Sequence, residues 1–546
     1  MVGALREWSI STGFGHSGRS ASSQEPANAA FFAGTGFAWE SGMHTKILSG
    51  DLNGIDGFLV TVEVDCQTGM PGFHLVGLAS ASMNEGRVRV RTALDNGGFE
   101  LKSKRFTVNL APAESRKDTT AVDLPIALGV LAVNGNLDLN AAGEGLWVGE
   151  LALDGSVRPV RGVLSIAQLA RQLGLPFIVV PEENAAEAAL VAGLEVRVAR
   201  HLRQVVACLM EREPWPAPPA AKAGPEGDGG PDLRDVRGQV VARRALEIAA
   251  AGGHNLLFVG PPGSGKSMLA QRLPGILPAL DFEEALDCTR IYSVSGLLDR
   301  TRLLTRRPFR APHHTVSTAG LVGGGLGPRP GEISLAHHGV LFLDELLEYP
   351  RHVLETLRQP MEDRKITLTR ARGTVEYPCA FQLVAAMNPC PCGFHGSMLR
   401  TCTCSPEGIG RYRSRLSGPL QDRFDLQVEV PGLKYAELRA QPEGEPSAEV
   451  ASRVREARER QRRRFDGRPL LNGRMPGSAA RAHCRLGRDA ESLLERTVER
   501  WGLSVRAIDK VLKVARTVAD LEGADALTAG HVAEALQYRH LDRGLK

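Results

Sequence analysis

A chain of 546 residues exceeds what one core can close, and at about 150 residues per domain it calls for roughly three domains. Hydrophobic residues make up 43% and charged residues 23%, which excludes a disordered or fibrous chain, and no run of about eighteen apolar residues offers a membrane-spanning helix. A formal net charge of +4 excludes a uniformly basic protein, so any contact with nucleic acid has to come from local clusters.

Residues 1–42 are rich in Gly, Ser and Ala without periodicity and read as disordered. They lack the charged start and apolar core of a secretory signal. A strand pattern begins at once after Met43, in MHTKILSGDLNGIDGFLVTVEVD, so Met43 is expected to be the true start and 1–42 an untranslated extension of the gene call; a genuine flexible tail is the alternative. Between 43 and 206, FLVTVEVD and RFTVNLAP alternate as strands, while VDLPIALGVLAV and GVLSIAQLARQLG carry helical periods. The stretches VGELALDGSVRPVRGVLSIAQLAR and NLAPAESRKDTTAVDLPIALG resemble the Lon-protease fold. A protease of that kind needs a serine nucleophile and an activating lysine. The resemblance puts the nucleophile loop at DTTAVDLPIAL and the lysine segment at RGVLSIAQL, which holds no lysine. The expectation is a Lon-like domain without protease chemistry, used for assembly or regulation. Next, REPWPAPPAAKAGPEGDGGPD is dense in Pro, Gly and Ala, and residues 207–231 read as a linker.

A second α/β segment opens with LLFVGPPGSGKSMLAQRL, an apolar strand, a glycine loop and a helix. The loop Gly260-Pro261-Pro262-Gly263-Ser264-Gly265-Lys266-Ser267 fits G-x-x-x-x-G-K-S in its required context. Gly260, Gly263 and Gly265 let the backbone curl so that its N–H groups face phosphate oxygens. Lys266 is placed to reach the β and γ phosphates, and Ser267 to coordinate magnesium. His313 and His314, in APHHT, read as structural or substrate-loop residues, because neighbours on a strand point to opposite faces and do not share a metal. GVLFLDEL is an apolar strand ending in Asp344, for the magnesium shell, and Glu345, to orient or deprotonate water.

RKITLTRARGTVEYPCAFQLV predicts a hairpin with strands at 365–370 and 374–377 and a turn at Ala371-Arg372-Gly373, its tip carrying Arg370 and Arg372. FQLVAAMNP is a third strand, ending in Asn388, a polar group for water or γ-phosphate. Directly after it, CPCGFHGSMLRTCTC holds four of the nine cysteines: Cys390, Cys392, Cys402 and Cys404. Four thiolates suit a closed, structural zinc site, with free thiols or a reversible redox pair as alternatives. The other five cysteines are scattered, which fits a reducing cytoplasm. LSGPLQDRFDL contributes Arg423. The remainder is helical in pattern: RVREARERQRRRF (453–465) sets seven arginines against two glutamates, and GLSVRAIDKVLKVAR starts a helix with Arg506 in its first turn. The arginine run reads either as a DNA contact or as a solvated helix with internal Glu–Arg pairs. From spacing alone, Arg423 and Arg506 are equally surface residues in ion pairs or charges supplied to a neighbouring subunit's phosphates.

This ordered set resembles the AAA+ ATPases, and RPFRAPHHT, LVGGGLGPRPGEISLAHHGVLFLDEL and AAMNPCPCG narrow the resemblance to the magnesium-chelatase-like ComM/YifB family over about residues 43–540. The resemblance assigns Lys266 to Walker A, Asp344 and Glu345 to Walker B, Asn388 to sensor 1, Arg423 to the arginine finger and Arg506 to sensor 2. It implies an α/β protein: a Lon-like domain (43–206), an AAA+ core with a parallel sheet (232–431) and a helical lid (432–546). It also implies ATP with magnesium, and a cytoplasmic hexamer whose hairpins project into a central pore. Two arginines per hairpin, repeated around a ring, suit the phosphate backbone of single-stranded or branched DNA; a solvated charged tip is the alternative. The activity implied is branch migration as incoming DNA recombines. A chelatase motor subunit and a protein remodeller are the alternatives.

Overall fold

The alternation that begins at His44 produces a long antiparallel hairpin, His44–Asn53 with Asp56–Gln67, closed by a two-residue turn in which Gly54 takes φ +69°. The computed structural model describes residues 44–76, 81–112, 120–138, 144–219, 230–298, 303–325, 329–370, 373–398, 400–433, 442–539 and 541. The readings made for residues 1–42 and for Met43 as the start lie outside them. Around the hairpin a seven-stranded sheet runs in the order Gly72–Val76, Arg105–Ala111, Asp56–Gln67, His44–Asn53, Gly145–Trp147, Phe177–Pro181, Glu195–Ala199. The predicted helices form at Asp123–Asn134 and Val163–Gln172. The first is apolar all round and correspondingly buried: Leu124, Leu128 and Leu131 pack on Val60, Val62 and Val64 of the hairpin.

The second sheet has five strands in the order Phe309–Arg310, Val340–Leu343, Gln382–Met387, Leu256–Val259, Leu426–Glu429, all parallel. Its three inner strands are buried throughout, which explains their unbroken apolar sequences. Because the strands run one way, the residues that follow them, Gly260, Asp344 and Asn388, emerge at a single edge. The arm between the second and third of these comprises Lys365–Arg370 and Gly373–Pro378, with Arg370 opposite Gly373. Gly373, expected in the turn, therefore pairs within the strand. Arg372 and the side chain of Arg370 lie outside the described residues.

The hairpin turn of the first sheet meets this arm. Ile55 enters an apolar cluster with Ile291, Val294, Leu335, Val375 and Tyr377. Arg290 donates to the Ile55 carbonyl at 3.1 Å, and Ser165 Oγ donates to the same oxygen at 2.6 Å. Gly54 comes so near that a Cβ there would stand 2.7 Å from Val375 Cγ1.

The C-terminal helices, among them Ser447–Arg464 and Val505–Glu522, share one apolar cluster with helix Val240–Gly252 of the second sheet's layer. Val450, Val454 and Ala457 face inward, and that packing decides the fate of the arginine run. Arg453 pairs with Glu247 at 2.5 Å and also with Glu445, Arg458 donates to the Ala250 carbonyl at 2.9 Å, and Arg464 pairs with Asp520. Arg458 and Gln461 thus satisfy carbonyls at the C-terminal end of helix Val240–Gly252, where cations and donors are favoured. The run is chiefly cement between helices. Neither reading made from its sequence foresaw these contacts to other segments; Arg463 with Glu459 at 3.2 Å is the one internal Glu–Arg pair found among the described contacts. No described helix is long and apolar enough to cross a membrane.

Asp425 ties these helices to the sheet. Its carboxylate accepts from Asn255 N–H at 3.1 Å and lies 2.9 Å from Lys510 Nζ and 3.5 Å from His254 Nδ1. Burial disfavours its ionised form, but the Lys510 ammonium and His254 outweigh that and hold the carboxyl well below the usual carboxylate range. Asp425→Ala should lower the unfolding free energy by about 3–5 kcal/mol, because it strands a buried ammonium. A depressed native pKa stabilises above the unfolded value of about 4, so the deficit should be full at pH 7 and shrink as pH falls through that value. Guanidinium unfolding of parent and variant at pH 7 and pH 3.5 checks both.

Candidate functional site

Strand Leu256–Val259 ends in the loop Gly260–Gly265, and helix Lys266–Ile276 starts at once. Gly260 is dictated by space, since a Cβ there would lie 2.2 Å from the Val430 carbonyl oxygen. Gly265 is dictated by conformation: it caps the helix at φ +92°. The opening N–H groups of the helix have no intrahelical acceptor and are available to an anion. Lys266 folds back over the loop, donating to the carbonyls of Gly260 at 2.7 Å and Pro261 at 2.8 Å and to Asn388 Oδ1 at 3.3 Å. Burial lowers its pKa, opposed by the charges of Asp344 and Glu345. Ser267 Oγ donates to Asp344 Oδ2 at 2.5 Å, and Glu345 N–H donates to Asp344 Oδ1 at 2.9 Å.

Together Pro262, Gly263, Ser264, Gly265, Lys266, Ser267, Asp344, Glu345 and Asn388 line a cavity of about 360 Å³. The Ser267 hydroxyl and Asp344 carboxylate are adjoining hard oxygen donors, the kind that magnesium takes alongside phosphate oxygens. With the ammonium and the helix N-terminus they fit a magnesium–nucleoside triphosphate. Glu345 adopts φ +49°, a left-handed conformation that costs a non-glycine residue of order 1–3 kcal/mol and recurs at functional sites. Its carboxylate lies 3.3 Å from His314 Nδ1.

Arg423 and Arg506 do not line this cavity. Arg423 forms an ion pair with Glu362, and its pKa is lowered by burial and then by the nearby Arg506 and Arg358 guanidinium groups. Arg423 therefore feels the charge of arginines from two other segments, and none of the three lines the phosphate cavity. The four clustered cysteines do converge: Cys390 Sγ is 3.3 Å from Cys392 Sγ and 3.7 Å from Cys402 Sγ, and all four sulfurs lie within 4.8 Å of one another.

Comparison with known proteins gives the assembly a family. The chain is 46% identical over 493 residues to YifB of Salmonella typhimurium, covering 90% of this chain and 96% of that one. It is 45% identical over 499 residues to competence protein ComM of Haemophilus influenzae, covering 90% and 97%. The chain belongs to the YifB/ComM family of magnesium-chelatase-like proteins. Residues 232–438 match the family described as magnesium chelatase, subunit ChlI; residues 62–184 match subunit ChlI of Mg-chelatase; and residues 444–539 match the ChlI C-terminal family. A magnesium-chelatase 38 kDa subunit of Cereibacter sphaeroides is 24% identical over 223 residues, 38% of this chain and 60% of that one.

Membership of the YifB/ComM family does not by itself reveal the place of His314, which the sequence reads as a structural or substrate-loop residue. Nothing local marks it: the contact with Glu345 exists because Tyr349 donates its hydroxyl to the Pro312 carbonyl at 2.6 Å and draws the loop towards the strand end. For the phosphate loop, Lys266→Ala should weaken binding of a fluorescent ATP analogue by about tenfold to a hundredfold, the equivalent of a charge-assisted contact of about 1.5–3 kcal/mol. Equilibrium titration of parent and variant measures it, and equal affinities would remove Lys266 from the site.

Proposed function

We propose that this chain is the subunit of a ring-forming, ATP-dependent DNA motor that promotes branch migration when incoming DNA recombines. The observation that carries the reading is the division of the chemistry. One cavity gathers Lys266, Ser267, Asp344, Glu345 and Asn388, while Arg423 and Arg506 stand together elsewhere. A site whose cations for transition-state charge lie out of its own reach is completed by the next subunit, and a repeating contact of that kind closes into a ring. The family's relation to chelatase subunit ChlI supports ATP and magnesium as cofactors.

In this reading Lys266 and the helix N-terminus hold the triphosphate, Ser267 and Asp344 hold magnesium, and Glu345 orients the attacking water with Asn388 beside it. Magnesium supplies charge neutralisation on the phosphate oxygens when bound. Zinc is the further cofactor, held by Cys390, Cys392, Cys402 and Cys404. The hexamer places the arms Lys365–Arg370 and Gly373–Pro378 around its pore, where Arg370 and Arg372 meet the phosphate backbone. The link to incoming DNA draws on the Haemophilus relative, which is named a competence protein. A second reading, a chelatase-like motor subunit, is favoured by the Cereibacter relative and makes the partner a porphyrin-metallating enzyme rather than DNA.

Arg423→Ala should keep nucleotide binding and lose hydrolysis by a factor of about 10³ or more. Mixed with Lys266→Ala, it should recover part of the activity, because interfaces in which the Arg423→Ala subunit supplies the loop and the Lys266→Ala subunit the arginine are intact. Hydrolysis at the parental rate by Arg423→Ala alone would end the shared-site reading.

Changing Arg370 and Arg372 together to Ala should spare basal ATPase and abolish its stimulation by branched DNA. The slope of log affinity against log salt should flatten by roughly one to two phosphate contacts. Strand-exchange assays on a labelled three-way junction read the motor directly. Stimulation by a chelatase partner and none by DNA would decide for the second reading.

A further inference from the structure

The cysteine turn does more than sit near the phosphate loop. It starts two residues after Asn388, and Gly393 within it presses on the loop: at φ +83°, a Cβ on Gly393 would lie 2.6 Å from Pro262 Cδ. Beyond Gly393, His395, Ser397 and Met398 line a second cavity of about 630 Å³, together with Val240, Val241 and Gly260. That cavity adjoins the phosphate cavity through the loop itself. Val240, Val241 and Met398 are 71%, 54% and 88% exposed, so the cavity offers apolar side chains beside polar ones from Gln239, His395 and Glu429. A flat aromatic base is the complementary occupant for such a lining.

What holds the turn in place is the sulfur cluster. For zinc bonded to sulfur at about 2.3 Å, the edges of a tetrahedron are about 3.8 Å. Here Cys390–Cys402 is 3.7 Å, Cys392–Cys402 is 3.6 Å and Cys390–Cys392 is a shorter 3.3 Å, all far from a disulfide bond. Backbone N–H groups donate to the sulfurs: Cys392 to Cys404, His395 to Cys390, and Cys404 to Cys402, at 3.4, 3.3 and 3.4 Å. Such donors steady thiolate ligands and orient them. Outside the cluster, Arg413 Nε donates to the Pro389 carbonyl at 3.0 Å. Between Gly393 and Cys402, the described residues carry few apolar anchors, the main one being Phe394 under the Arg400 guanidinium at 5.0 Å.

We propose that zinc held by Cys390, Cys392, Cys402 and Cys404 folds this loop into one wall of the nucleotide cleft, so that metal occupancy sets nucleotide affinity. The inference rests on the nucleotide reading above for its consequence and on the sulfur geometry for the metal. Closed on four protein ligands, zinc contributes folding free energy to the loop and no open coordination position. The sheet carries its own apolar core and does not depend on the metal.

The test uses full-length protein purified in reducing, chelator-free buffer. Elemental analysis should give about one zinc per chain, and Cys402→Ser/Cys404→Ser should lose it. Limited proteolysis should cut that variant within 393–401 while its melting transition stays close to the parent's. Its affinity for a fluorescent ATP analogue should fall by about tenfold or more. Gly393→Val, which keeps all four thiols, should retain zinc and still weaken the analogue, because its side chain collides with Pro262. Absence of zinc, or disulfides among the four cysteines, overturns the metal site. Zinc present but parental affinity in both variants overturns the wall. If the zinc-loaded parent itself binds no analogue, the nucleotide reading fails, and with it the consequence for affinity, while zinc content and proteolysis still decide the metal-held fold.

Discussion

A buried ammonium organises this protein. Lys266 sits inside the loop that precedes it, its hydrogen bonds going to two main-chain carbonyls and one amide oxygen, with the carboxylates of Asp344 and Glu345 acting on its charge without a hydrogen bond to it. Burial still outweighs those charges and disfavours the ammonium, and an arriving anion improves its position. The parallel sheet makes it possible. Only strands that all run one way deliver the Gly260 loop, Asp344 and Asn388 to one edge, and only close approach at Gly260 lets the Val430 main chain pass behind the loop. The cavity, the Ser267–Asp344 contact and the strained Glu345 are all arranged around that cation.

The same sheet explains why the C-terminal helices are inseparable from it. Strand Leu426–Glu429 is its edge, and the chain around it is stitched outward: Phe424 O accepts from Arg539 at 2.7 Å and Lys510 at 3.2 Å, and Gln427 N–H donates to the Tyr538 carbonyl at 2.8 Å. Arg423 immediately precedes these contacts. Its position is therefore set by the helices as much as by the sheet, which accounts for its company with Arg506 from a helix start more than eighty residues later.

Much of the site was legible in the sequence, for reasons local to it. Glycine at 260 and 265 reports a steric and a conformational demand that no other residue meets, and apolar runs ending in Asp344 or Asn388 report buried parallel strands. Four cysteines in fifteen residues report a cluster because short loops cannot hold their thiols apart. What escaped depends on packing between distant segments. That Arg453, Arg458 and Arg464 of the arginine run find partners on other segments shows only once the helices are packed. His314 has no signature because its partner is brought to it by the sheet. The hairpin was read one residue long in the turn, since a glycine there serves a strand end equally well.

The meeting of Ile55 with the arm Lys365–Pro378 has a mechanical consequence. Val375 and Tyr377 are gripped between the first sheet's turn and helix Phe282–Ser295, and Val375 pairs with Leu368 across the arm. Beyond that grip each strand continues for only two residues, about 7 Å of overhang at the usual rise. So short an overhang is stiff, and the strand ends at Arg370 and Gly373 follow any rotation of their root. A load on those strand ends is therefore carried by the Ile55 turn as well as by helix Phe282–Ser295, since both press on Val375 and Tyr377.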